Sequence, residues 1–75
     1  MMFDEQECER HYWAAIERWN EARRMQASYS ELDVAARSVA YWRDAWAKAV
    51  SRAERTSLSV ARADIAWRIE HNRPD

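Results

Sequence analysis

Apolar residues recur along this chain at helical spacing, in two runs separated by a polar break. Cys8, Tyr12, Ala15, Ile16, Trp19 and Ala22 share one face of a helix, spaced mostly three or four apart. The run fades at Met25–Ala27. Asp4 stands ahead of it as a cap, and Glu5, Glu7 and Glu9 sit where the positive end of the helix dipole favours acids. The pattern predicts a first helix over about residues 4–27.

The break reads "ASYSELD". Ser28 lies three residues before Glu31 and Ser30 three before Asp33, so two overlapping capping-box patterns open the next helix. A connection this short makes the two helices antiparallel neighbours.

Beyond it runs a seven-residue repeat. Leu32, Val39, Trp46, Ala53, Val60 and Trp67 occupy its first position; Ala35, Trp42, Ala49, Thr56 and Ala63 occupy its fourth. Acid-before-base pairs four residues apart (Asp33–Arg37, Asp44–Lys48, Asp64–Arg68) support helix along the run. The phase passes through Thr56, Ser57 and Ser59 without a slip, which predicts one long helix over about residues 31–71. The alternative is a break at 56–59, with Thr56 or Ser57 capping a third helix, hence a three-helix bundle. His71, Asn72, Arg73 and Pro74 suit a helix end.

In the long-helix reading, the first helix covers only half of the second. The uncovered half is apolar on two sides. Ala53, Val60, Ala63 and Trp67 continue the heptad seam and are the expected homodimer contacts. Leu58, Ile65 and Ile69, with Arg62 beside them, form a second stripe and are the expected contacts to a target protein. The expected core is Tyr12, Ile16, Trp19, Leu32, Val39, Trp42 and Trp46. Trp13 and Tyr41 fall off the seams and read as interface residues or exposed anchors.

Composition narrows the picture. With 75 residues, no Gly and one Pro, the chain is a single all-α domain near the size where one core supplies little stability. One cysteine excludes an internal disulfide, which points to dimerisation instead. The net charge is −1, with 12 basic residues against 13 acidic, which lacks the basic excess of a nucleic-acid binder. The expected setting is the cytoplasm: no secretory pattern opens the chain and no stretch approaches a membrane span.

Candidate chemistry is sparse. Cys8 and His11 could face one way on the first helix, but His71 is the only other histidine, so no zinc ligand set assembles. No phosphate-cradling glycine loop or nucleophile motif is present. Arg10, Arg18, Arg43 and Arg52 would have to converge in a pocket to support an enzyme of the chorismate mutase type, whose motifs are not matched here. No catalytic residue, metal or cofactor is expected. A DNA-binding regulator is the second reading, carried by Arg23, Arg24, Arg52, Arg55 and Arg62. Against it, a recognition helix would carry polar base-reading residues where this chain has Trp and Ala.

The capped hairpin at Ser28–Asp33, the Ala/Trp heptad helix from Leu32 to Trp67 and the charge-balanced surface together resemble the small, helical, dimeric host-takeover proteins of bacteriophages of GC-rich hosts. The nearest likeness is the anti-quorum-sensing type; anti-CRISPR proteins and helical anti-activators share the outline. The likeness is architectural and transfers no functional residue. It implies a non-enzymatic inhibitor or adaptor that binds a host regulatory protein, such as a LuxR-type transcriptional regulator, and blocks it.

Overall fold

Asp4 opens the first helix as anticipated. Its carboxylate accepts the Glu7 N–H at 2.8 Å, and the Glu7 carboxylate accepts the Asp4 N–H at 3.3 Å, a reciprocal pair that satisfies two of the helix's free donors. In the computed structural model, which describes residues 3–72, helix α1 then spans Glu5–Arg24, α2 spans Tyr29–Glu54 and α3 spans Leu58–His71. The chain is all-α, with no strand among the described residues.

Neither turn uses glycine. Gln26 adopts the left-handed conformation (φ 52°), and the Ala27 N–H reaches back to the Ala22 carbonyl at 3.0 Å to close α1. Ser28 then caps α2, its hydroxyl accepting the Glu31 N–H at 3.3 Å. Of the two overlapping patterns, Ser28 supplies the cap through its hydroxyl; Ser30 already lies inside the helix.

The single long helix over 31–71 is not what forms; the three-helix alternative is. Arg55 takes φ 53° and ψ 45°, which ends α2. The Ser51 carbonyl accepts both the Arg55 N–H and, at 3.2 Å, the Thr56 N–H, while the Ser51 hydroxyl donates to the Thr56 carbonyl at 2.6 Å. Ser57 caps α3 by accepting the Val60 N–H at 3.2 Å. One serine on each side of Arg55 thus satisfies backbone groups that a continuous helix would have satisfied itself. The unbroken heptad phase was a poor guide because it records two separate faces that happen to share a register.

α2 is the central element: α1 and α3 both pack on it, and their backbones do not meet each other among the described residues. At 26 residues α2 is about 39 Å long, whereas the 14 residues of α3 span only about 21 Å. The core therefore sits where three helices overlap. It comprises Cys8 and Tyr12 of α1, Trp46, Ala47, Ala49 and Val50 of α2, and Ala61 and Ile65 of α3. Of the expected core, Tyr12 and Trp46 are buried, and Ile16, Val39 and Trp42 pack against them half-buried. Trp19 and Leu32 lie toward the two-helix end and are only half-buried. The buried Trp46 indole N–H and Thr56 hydroxyl have no hydrogen-bond partner among the described residues, an omission that costs about 1–3 kcal/mol each.

α3 ends at His71, and the Asn72 N–H caps it by donating to the Arg68 carbonyl at 2.8 Å. Arg73 and Pro74 lie outside the described residues.

The turn makes a signed prediction. Glycine tolerates the left-handed conformation that Arg55 is forced into, so Arg55→Gly should raise stability by about 0.5–1 kcal/mol. In an uninterrupted helix the same change would cost about 1 kcal/mol. An upward shift of the urea midpoint is expected; a downward one would place residue 55 inside a helix.

Candidate protein-binding surfaces

Reversing α3 decides which of its two apolar stripes enters the core. Ile65 is 2% exposed, and Leu58 and Ile69 pack against the core beside it. These were the expected target contacts, and the structure corrects that assignment: they hold the bundle together. Arg62, the fourth of them, is exposed and bonded to Asp44 of α2 at 3.3 Å.

The other stripe faces outward. Val60 is 55% and Trp67 58% exposed, with Ala63 exposed between them. Ala53, assigned to the same seam, is exposed at the end of α2. Trp67 is not loose: His71 stacks on its indole at 4.1 Å and 14°. The His71 Nδ1 lies 2.8 Å from the Trp67 carbonyl, which can only accept, so that nitrogen carries the proton. The hydrogen bond holds the imidazole in place, and the stack covers one face of the indole.

Beside this stripe α2 and α3 diverge into a groove of about 630 Å³. Tyr12, Ile65 and Ile69 line it together with Ala40 of α2 and Ala66 of α3. Four charged residues stand along it. Asp44 is paired with Lys48 at 2.9 Å and with Arg62; Arg43 on the α2 wall and Glu70 on the α3 wall have no ion-pair partner among the described residues.

A second apolar surface flanks the first turn, where α3 does not reach. Met25 is 74% and Tyr29 88% exposed, and Val34 farther along α2 is 67% exposed. Heptad spacing did not mark these residues, because they lie outside its seam. Tyr41 is likewise exposed, edge-on to Trp42, whereas Trp13 packs against the core and donates its indole N–H to Glu9 at 3.3 Å.

Arg68 ties the third helix down. Its guanidinium pairs with Asp64 at 2.9 Å, with Glu54 of α2 at 3.0 Å and with Glu5 of α1 at 3.3 Å. Partial burial opposes the charged form, but the Glu5 hydrogen bond and the Asp64 charge outweigh it and hold the group above its ordinary range. The three pairs expected within helices all form (Asp33–Arg37, Asp44–Lys48, Asp64–Arg68). The links between helices carry no signal in sequence spacing.

The residues weighed for chemistry are kept apart. Cys8 is buried with its sulfur 4.0 Å from the Phe3 carbonyl, while His11 lies exposed, stacked on Trp42 at 4.1 Å. No group of three His, Cys, Asp or Glu among the described residues could hold a metal ion. Arg43, Arg52 and Arg18 line three different grooves. No described helix is long and apolar enough to cross a membrane. Set beside known families, characterised proteins and solved structures, the chain matches none.

Two measurements check these environments. Burial pushes the Cys8 thiol above its ordinary 9.0, against the pull of Arg52 and with the help of Asp4 and Glu7. A disulfide reagent should therefore leave it unmodified in the native state and react once urea unfolds the chain. The Lys48 hydrogen bond, joined by the Arg62 hydrogen bond and both positive charges, outweighs desolvation and holds Asp44 below its ordinary 3.8. That stabilisation is present above pH 3.8 and is lost as pH falls through the lower folded value. Asp44→Asn should thus narrow its stability gap to the parent on acidification; a gap that widened would reverse the sign.

Proposed function

We propose that this chain is a small, non-enzymatic protein-binding module. Copies join through the outer stripe of α3, at Val60, Ala63 and Trp67, and the hairpin tip at Met25 and Tyr29 is offered to another protein. The observation that carries this reading is the exposure of large apolar side chains in two separate places on a chain with so small a core. Large apolar side chains this exposed are candidate interaction sites, and Trp and Tyr are among the residues that dominate binding energy at interfaces. A Trp pre-ordered by a stacked His loses less freedom on binding.

A target class comes from the sequence likeness to phage anti-activators, of which the capped hairpin and the balanced charge persist in the fold while the unbroken heptad helix does not. The target is a host transcriptional regulator of the LuxR type, and the mechanism is steric: the bound module covers the surface the regulator uses for DNA or for assembly. The near-neutral charge supports a protein target over nucleic acid.

A mobility-shift titration tests this reading. Added to a LuxR-type regulator on its operator, the chain should release the DNA, and Tyr29→Asp should abolish release without loss of helicity. Salt-sensitive binding of random duplex by the chain alone would favour the DNA-binding regulator instead.

A further inference from the structure

The groove between α2 and α3 and the outer stripe of α3 are adjacent parts of one continuous surface, on which Ala66 and Glu70 border the groove and Ala63 and Trp67 continue outward. At 100° per residue, Ser59 and Ala66 share the edge of α3 that faces the groove, with Arg62 between them. Arg62 lines the groove and pairs across it with Asp44 at 3.3 Å, so the small residues on that edge lie outward of the pair, at Ala66 and Ser59. A helix could approach closely there. The α2 wall opposite is also small, at Ala40.

The charges decide what would fit. Arg43 and Glu70 stand on opposite walls, opposite in sign and unpaired among the described residues. A uniformly acidic or basic partner would satisfy one and repel the other. A second copy of this chain, related by a two-fold axis, satisfies both at once: Arg43 meets the other copy's Glu70, and Glu70 meets its Arg43. Such reciprocity is what an isologous interface requires.

We infer that the groove is the seat for α3 of a second copy, lying antiparallel, with its Trp67 indole against the Ala40 wall and two Arg43–Glu70 pairs closing the rims. The inference rests on the self-association proposed above and adds to it the acceptor site, the orientation and the pairing. At about 630 Å³ the groove has room for an indole and part of the helix that carries it, over a floor of Tyr12, Ile65 and Ile69, and the neighbouring stripe supplies one Trp67 from each copy.

Charge exchange on the full chain tests it. Both residues are exposed, so their replacement should leave the helical circular dichroism unchanged. In sedimentation equilibrium, Arg43→Glu and Glu70→Arg should each weaken the dimer about ten-fold, since two attractive pairs become two repulsive ones. The double variant, R43E with E70R, should restore parental affinity. A dimer in which the single changes have no effect, or the double is no better than the singles, overturns the groove assignment and leaves self-association standing. A parent chain that stays monomeric to millimolar concentration overturns both.

Discussion

Everything distinctive about this molecule follows from one residue held in the left-handed conformation. Arg55 ends α2, and the two hydrogen bonds that Ser51 accepts, with the third it donates, direct the chain back along the helix it has just left. A helix with two apolar stripes can bury only one of them against a single neighbour. The reversal selects Leu58, Ile65 and Ile69, and by the same act leaves Val60, Ala63 and Trp67 in solvent. It also creates the groove, because α3 packs beside α2 and the two helices line it together with Tyr12.

The short third helix sets the distribution of stability. Where three helices overlap, Trp46, Ala47 and Val50 are fully enclosed; where only two run together, Trp19 and Leu32 stay half-open to water. Alanines in α2 let both neighbours come close at the enclosed end. The Arg68 cluster adds polar links among all three helices there, but its carboxylates are partly exposed, and such pairs contribute modestly. What remains at the thin end is apolar surface that nothing among the described residues covers.

The sequence made the helices legible and the turn ambiguous, for physical reasons. Asp4 and Ser28 cap as read, because an N-cap depends on residues only three apart. Tyr12 and Trp46 are core as read, because each lies on a single unbroken face. The end of α2 was hidden, since left-handed residues normally announce themselves as Gly or Asn and here the position is Arg. With the turn misplaced, Ile65 changed from surface to core, and a site was read onto the wrong face. The groove was illegible altogether: Ala40, Arg43, Ala66 and Glu70 come together only once the register of α3 on α2 is set, and no local spacing encodes that. The hairpin tip was missed for a simpler reason, since Met25 and Tyr29 belong to no periodic pattern.

The link between Glu5 and Arg68 has a kinetic meaning as well. Nearly all packing here joins helices adjacent in sequence, a topology of low contact order whose hairpins close over short loops. The 3.3 Å contact between residues 5 and 68 spans almost the whole described chain, so closing it before the two hairpins would cost more entropy than closing it after them. On that ordering it is a late contact, a clasp that closes over a bundle already built.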